Sequence, residues 1–249
     1  MKPAVLAVAA LAVAAVVASV AVVRLSRKRE PSIPCAAKFV GMVNHGSRAN
    51  RKIALTFDAC SGRHSGFDAR LLDVLQRGRV PGTVFLGGEW MNRHPREVEL
   101  LKSAPNLELG MHGFGHPHMT RLTEEKIALE LDRAQDAFTR LVGRRASLFR
   151  PPYGECDERI ARIAAARGLV TVGFDLASGD PDPHLTRGRL VRGVVRSARN
   201  GSIVVMHING KGRYTAKAVP EIVSELEKKG YSFATVSDLL RDLEAGRAR

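Results

Sequence analysis

Aromatic residues make up only 5% of the 249 positions, and Trp90 is the single tryptophan. So few rings exclude the aromatic-rich sheet of RNP-type RNA binders. No helix-turn-helix or zinc-finger spacing is present, and the basic residues are scattered, so nucleic acid is not the expected partner. Acidic residues are also in short supply, with 25 Asp and Glu against 39 Lys and Arg and a formal net charge of +14. That excess points to an anionic partner or surface, and a solvated basic face beside a membrane or cell wall satisfies it. Three cysteines, Cys35, Cys60 and Cys156, allow at most one disulfide. Cys35 is not a lipid-attachment site, because Ser32-Ile33-Pro34 precede it and the apolar run ends well upstream. No internal repeat is visible.

Charge is missing altogether from residues 4–23, AVLAVAALAVAAVVASVAVV, a run long enough to cross a bilayer as a helix. Residues 1–23 are therefore a membrane anchor or a signal segment. Ser19-Val20-Ala21 is a small-x-small exit, but more Val follows it, which favours a retained anchor. Arg24, Arg27, Lys28 and Arg29 follow the span, and by the positive-inside rule they would keep the domain in the cytoplasm. Residues 24–50 mix charge, Pro, Gly and Asn without periodicity and read as a basic linker.

From Ile53 onward, short apolar runs alternate with stretches of helical period. The strand-like runs are IALTF, TVFLGG, LELGMH, SLFR, LVTVGFD, SIVVMH and YSFATV. Such alternation predicts an α/β domain with a parallel sheet covered by helices, open or closed into a barrel. Thr123 is the expected N-cap of one helix, and Gly143, Gly168 and Gly230 stand where helices should stop.

Asp58, His112, Arg150, Asp175 and His207 each fall at the C-terminal end of a predicted strand. In parallel α/β architectures those ends share the face where binding and catalysis occur. His112 and His116, four apart on a Gly-containing loop, suit convergence on one cation. A cation held by two His and a carboxylate suits hydrolysis, with a second carboxylate as base and His207 as acid to the leaving group. His118 is a spare that faces solvent, and Trp90 is expected in the core.

Five ordered motifs, TFDAC (56–60), HGFGH (112–116), RPPYG (150–154), SGD (178–180) and VVMH (204–207), resemble those of the NodB-homology polysaccharide deacetylases, carbohydrate esterase family 4. The resemblance covers about residues 51–240, within a deacetylase domain taken as 51–249. It implies a distorted (β/α) barrel, preceded here by the N-terminal transmembrane helix, that removes acetyl groups from N-acetylated glycans with a divalent metal, commonly zinc. It implies Asp58 as general base, His112 and His116 as metal ligands, Arg150 as the residue that orients the base, and His207 as general acid. Asp180 would tune His207. Pro152 and Tyr153 belong to the Arg-Pro-Tyr element, the Tyr153 N–H serving the oxyanion.

The family's first motif is usually Thr-Phe-Asp-Asp-Gly, so Ala59 stands where a metal-binding Asp belongs. Asp58 itself, His64 or Asp68 from the next loop, or Cys60 as a thiolate are the replacements open to the chain. Cys60 and Cys156 follow motifs whose loops share a face, and a Cys60–Cys156 disulfide across the rim is the favoured reading. That bond requires an oxidising compartment, which places the domain outside the cytoplasm, against the charge rule. The resulting expectation is a membrane-anchored N-deacetylase of peptidoglycan or a chitin-like glycan. An O-acetyl xylan-type esterase and a non-catalytic glycan-binding homologue are the alternatives.

Overall fold

The computed structural model describes residues 41–62 and 65–247. Its strands are β1 (Met42–Val43), β2 (Lys52–Ala59), β3 (Gly82–Leu86), β4 (Leu107–Met111), β5 (Leu148–Phe149), β6 (Val170–Val172), β7 (Leu176–Ala177), β8 (Ile203–His207) and β9 (Ser232–Phe233). The helices are α1 (Ala69–Arg77), α2 (Gly88–Arg93), α3 (Pro95–Lys102), α4 (Glu124–Val142), α5 (Glu158–Ala165), α6 (Arg187–Ser197), α7 (Thr215–Lys228) and α8 (Val236–Arg247). The strands follow the order β1-β6-β5-β4-β3-β2-β8-β7, with β9 also paired to β2, and every ladder is parallel.

β2 is buried along nearly its whole length and β3 throughout, as expected of strands covered on both faces. Phe57, Phe85 and Trp90 are fully buried, each removing an aromatic side chain from water at a gain of roughly 1.5–3 kcal/mol. The helices end as their sequences direct. Thr123 accepts a hydrogen bond from Lys126 N at 3.4 Å, and Gly143 closes α4 with φ +86°.

Two features differ from the sequence expectation. Part of the stretch assigned to a linker is strand: β1 pairs with β6, and His45 makes an antiparallel bridge to Ser202 at the start of β8. These contacts link the two ends of the sheet and curl it into an incomplete barrel. The run LVTVGFD stops being strand at Val172, so Asp175 precedes β7 instead of closing a strand. The apolar run 4–23 lies outside the described residues; among those described, no helix is long and apolar enough to cross a membrane.

Candidate functional site

Register brings the first two polar groups together. β2 and β8 are paired so that Asp58 and His207 are Cα partners, and both stand where their parallel strands end, at one rim of the sheet. Arg150 follows β5 and reaches inward, fully buried. Its Nη1 donates to Asp58 Oδ1 at 2.8 Å and Thr56 Oγ1 at 2.7 Å, and its Nη2 donates to Gly173 O at 3.0 Å. Its guanidinium lies 4.1 Å from the Phe85 ring centroid. Burial alone would raise the Asp58 pKa, but the charges of Arg150, His112 and His207 bring it below the ordinary carboxylate value. Asp58 is thus kept as an anion and held in one orientation.

His112 directly follows β4, and its Nδ1 donates to Arg150 O at 2.8 Å. That bond fixes the ring with Nε2 facing Asp58 Oδ2 at 3.7 Å, where it is a cation while protonated and a lone-pair donor to a metal once that proton is lost. His116, at φ +65°, returns its ring to within 4.9 Å of the His112 ring, edge to face. Cys60 completes this group. One ligand atom from each of Cys60, His112 and His116 lies within 4.8 Å of the others.

The Cys60–Cys156 disulfide is therefore corrected: both cysteines are free. Cys60 is turned inward to the histidines, while Cys156 Sγ donates to Asp157 O at 3.4 Å. Burial opposes ionisation of the Cys60 thiol, but hydrogen bonding and charge from His112, with bonds from His116 and His207, pull its pKa down to about 4. Burial and the Asp157 charge push Cys156 up to about 11. Of the other replacements for the missing Asp, Asp68 caps α1, accepting from Arg70 N and Leu71 N at 3.1 Å. His64 lies outside the described residues, and Asp58 is not in the converging group. A thiolate with two imidazoles fits a borderline or soft divalent ion such as zinc, so the donors present suit the metal that the resemblance implies.

His207 is supported on its other side. Asp180 Oδ1 accepts from His207 Nδ1 at 2.9 Å, and Asp180 Oδ2 accepts from His207 N at 2.8 Å and Thr215 Oγ1 at 2.7 Å. Burial would lower the His207 pKa, but bonds to Asp180 and Cys60 raise it to about 10. Pro181 lines the cleft beside Asp180. Tyr153 adopts φ +61°, a strained conformation for a non-glycine residue, in the short turn Pro152–Gly154 at the cleft edge. His118 does not simply face solvent: it stacks on Tyr153 at 3.9 Å and 8°, and its Nδ1 lies 3.0 Å from Glu155 Oε2. The whole opens as a cleft of about 400 Å³ containing Asp58, Cys60, His112, His116, Tyr153 and His207.

Asp175, grouped with these residues from sequence, is elsewhere. It accepts from Ile203 N, Ser202 Oγ and Arg48 Nη2, fastening the start of β8. Trp90 is a core residue whose Nε1 donates to Gly66 O at 2.8 Å. Sequence reasoning missed Ser61 and Glu130. Ser61 Oγ donates to Phe114 O at 2.7 Å, and Glu130 Oε2 accepts from Phe114 N at 2.9 Å and Gly115 N at 3.0 Å. Together they hold the His112–His116 loop from both sides. Adjacency to Cys60 was a weak signal for Ser61, whereas Glu130 is one of many acidic residues on a helix.

A sequence profile of the family described as Polysaccharide deacetylase matches residues 45–172. The chain belongs to this family. It is the NodB-homology family of carbohydrate esterases, family 4, a family of deacetylase hydrolases that includes a pseudoenzyme as well. A peptidoglycan-N-acetylglucosamine deacetylase of Bacillus cereus is 33% identical over 193 residues, covering 76% of this chain and 88% of the relative. Peptidoglycan-N-acetylmuramic acid deacetylase PdaA of Bacillus subtilis is 29% identical over 202 residues, covering 80% and 75%. The solved structure of Bacillus subtilis PdaA superimposes with a TM-score of 0.74 at 26% identity, over 83% of this chain and 88% of that one. A family 4 pseudoenzyme from Bacillus anthracis, at 24% identity and a TM-score of 0.75 over 82% and 70%, shares the fold.

Proposed function

We propose that this chain is a metal-dependent N-deacetylase of an N-acetylated envelope glycan, with Cys60, His112 and His116 holding the metal. The convergence of these three donors beside the Asp58–Arg150 and His207–Asp180 pairs carries the proposal. A bound divalent ion supplies Lewis acidity, polarising the acetamide carbonyl and lowering the pKa of water. Asp58, kept ionised by Arg150, takes the proton from the attacking water. The Tyr153 N–H, set at the cleft edge by its left-handed backbone, is the donor for the developing oxyanion. Asp180 keeps a proton on His207 Nδ1 and stabilises the imidazolium, so Nε2 delivers its proton to the leaving amine.

Cys60 also answers the objection raised by Ala59, since an anionic donor stands one position further along. Zinc suits the donor set, and we retain the apolar run 4–23 as a membrane anchor for a domain outside the cytoplasm. Without the disulfide, that location rests on the substrate, and fractionation of cells expressing the chain tests it. The activity test is acetate release from peptidoglycan and N-acetylglucosamine oligomers, with Asp58→Asn and His207→Ala as controls. Release that depends on added metal and falls in both variants is expected. No release with zinc, cobalt or manganese would overturn the reading.

A further inference from the structure

The two ends of the barrel differ in charge. Because every ladder is parallel, each connection from a helix into a strand turns at the end opposite the cleft. These connections are 78–81, 103–106, 143–147, 166–169, 198–202 and 229–231, and neither they nor the segment 44–51 leading into β2 contain Asp or Glu. All but 103–106 contain Arg or Lys. The connections at the cleft end instead carry Asp68, Glu155, Asp157, Asp180 and Asp182. Helix dipoles favour cations in last turns, which accounts for Arg77, Lys102 and Lys228. They do not account for Arg48 or Arg51, which follow no helix among the described residues.

Beside α6 the cations of this end are contiguous. Arg51 Nη2 donates to Lys229 O, and its guanidinium lies 5.1 Å from the Tyr231 ring centroid. Lys229 Nζ donates to Val195 O of α6 at 2.9 Å, and Arg48 Nη1 donates to Asn200 O, just past α6, at 2.6 Å. Arg192 and Arg196 line an open groove of about 520 Å³. Arg51, Arg192, Arg196, Arg199 and Lys229 are exposed, and no carboxylate among the described residues pairs with any of them. Nearby acids are already engaged, Asp175 by Arg48 at 2.8 Å, Asp242 by Lys52 at 2.7 Å and Glu225 by Lys228 at 2.7 Å. Glu227, in the last turn of α7, is exposed and pairs with no described cation.

The described chain begins at the same end. β1 is parallel to β6, so Gly41, just before β1, stands where the strands start. The apolar run 4–23, retained above as an anchor, precedes it in sequence and so joins the domain at its basic end.

We propose that this end is a docking surface for anionic lipid headgroups, which holds the cleft away from the bilayer. Each cation near an anionic leaflet adds to the attraction, and guanidinium forks suit phosphate oxygens. The proposal goes beyond the deacetylase reading and does not depend on acetate release.

The test places the full chain in vesicles of phosphatidylcholine, alone or with one-third phosphatidylglycerol. Acetylation of surface lysines by a membrane-impermeant reagent is followed by mass spectrometry. Lys229 marks the basic end and Lys211 the cleft end, and both are exposed. A surface potential of about −30 mV concentrates protons roughly threefold, so anionic lipid should slow Lys229 by about threefold or more and leave Lys211 unchanged. At 1 M salt, where the Debye length is about 3 Å, the difference should disappear. Arg192→Gln/Arg196→Gln/Arg199→Gln removes no ion pair, so its melting curve should match wild type while Lys229 returns toward its rate in neutral lipid. Equal Lys229 rates in the two lipids, slowing of Lys211 instead, or protection that the variant retains would each overturn the proposal. Slowing of Lys229 by soluble polyphosphate but not by anionic lipid would assign the surface to a polyanion and overturn the lipid reading.

Discussion

Removing Arg150 tests the electrostatic heart of the site. Arg150 is 0% exposed, Asp58 is 4% exposed, and they are bonded at 2.8 Å. Arg150→Met keeps most of the stem volume but leaves Asp58 without that partner and takes a donor from Thr56 Oγ1 and Gly173 O. Breaking one side of a buried pair costs about 3–5 kcal/mol. His112, 3.7 Å from Asp58, offsets part of this and sets the expectation near the lower end. The double variant Arg150→Met/Asp58→Asn removes both charges and should be more stable than the single variant by about 2 kcal/mol. Urea denaturation followed by far-ultraviolet circular dichroism at pH 7 measures both. The pH dependence gives a second readout. Asp58 in the native protein has a lowered pKa, so its contribution is present above the ordinary carboxylate value and is lost as pH falls through the native one. In Arg150→Met burial is less opposed, the Asp58 pKa rises, and the deficit against wild type should shrink on acidification. A single-variant cost below about 1 kcal/mol, or no recovery from Asp58→Asn, would refute the argument.

Four further outcomes follow from the same geometry. Cys60→Ser should weaken zinc binding by about a hundredfold or more and remove the near-ultraviolet thiolate charge-transfer band of the cobalt-loaded protein; an unchanged band would exclude Cys60 as a ligand. Asp180→Asn should lower the His207 pKa from about 10, moving the alkaline limb of kcat/KM to lower pH. The stability that His207 draws from Asp180 is complete below the ordinary imidazole value and is lost as pH rises through about 10, so the variant's deficit should be largest near neutrality and below. Glu130→Ala should cost about 1–2 kcal/mol and weaken metal binding, with Glu130→Gln retaining part of both; equal effects of the two would argue against an anchored loop. Mass mapping without reductant should find both Cys60 and Cys156 as thiols, and Cys156→Ala should leave Tm within about 2 °C of wild type.

Much of the site was legible in the linear chain. Apolar runs ending in Asp58, His112, Arg150 and His207 sufficed to place four groups on one face, because in a parallel sheet every strand ends on the same side. The His112–Gly–Phe–Gly–His116 spacing marked two imidazoles that converge for a similar reason: short loops keep near neighbours near. Asp175 failed that logic because periodicity does not show where a strand breaks, and LVTVGFD ends at Val172 before Asp175 begins a different contact.

The fate of Cys60 was decided only by the tertiary structure. Its loop and that of Cys156 both belong to the rim, and sequence could favour a bond between them but not the direction of either side chain. Packing of Ala59 into the core and anchoring of Ser61 on Phe114 turn the thiol toward His112 and His116. The same holds for α6, whose buried Leu190, Val191 and Val194 leave its arginines exposed on the outer face. What the sequence determined by itself was which groups reach the rim, since that follows from local periodicity and a parallel sheet. Which of them meet depends on contacts between residues far apart in the chain, and those exist only once the sheet has curled.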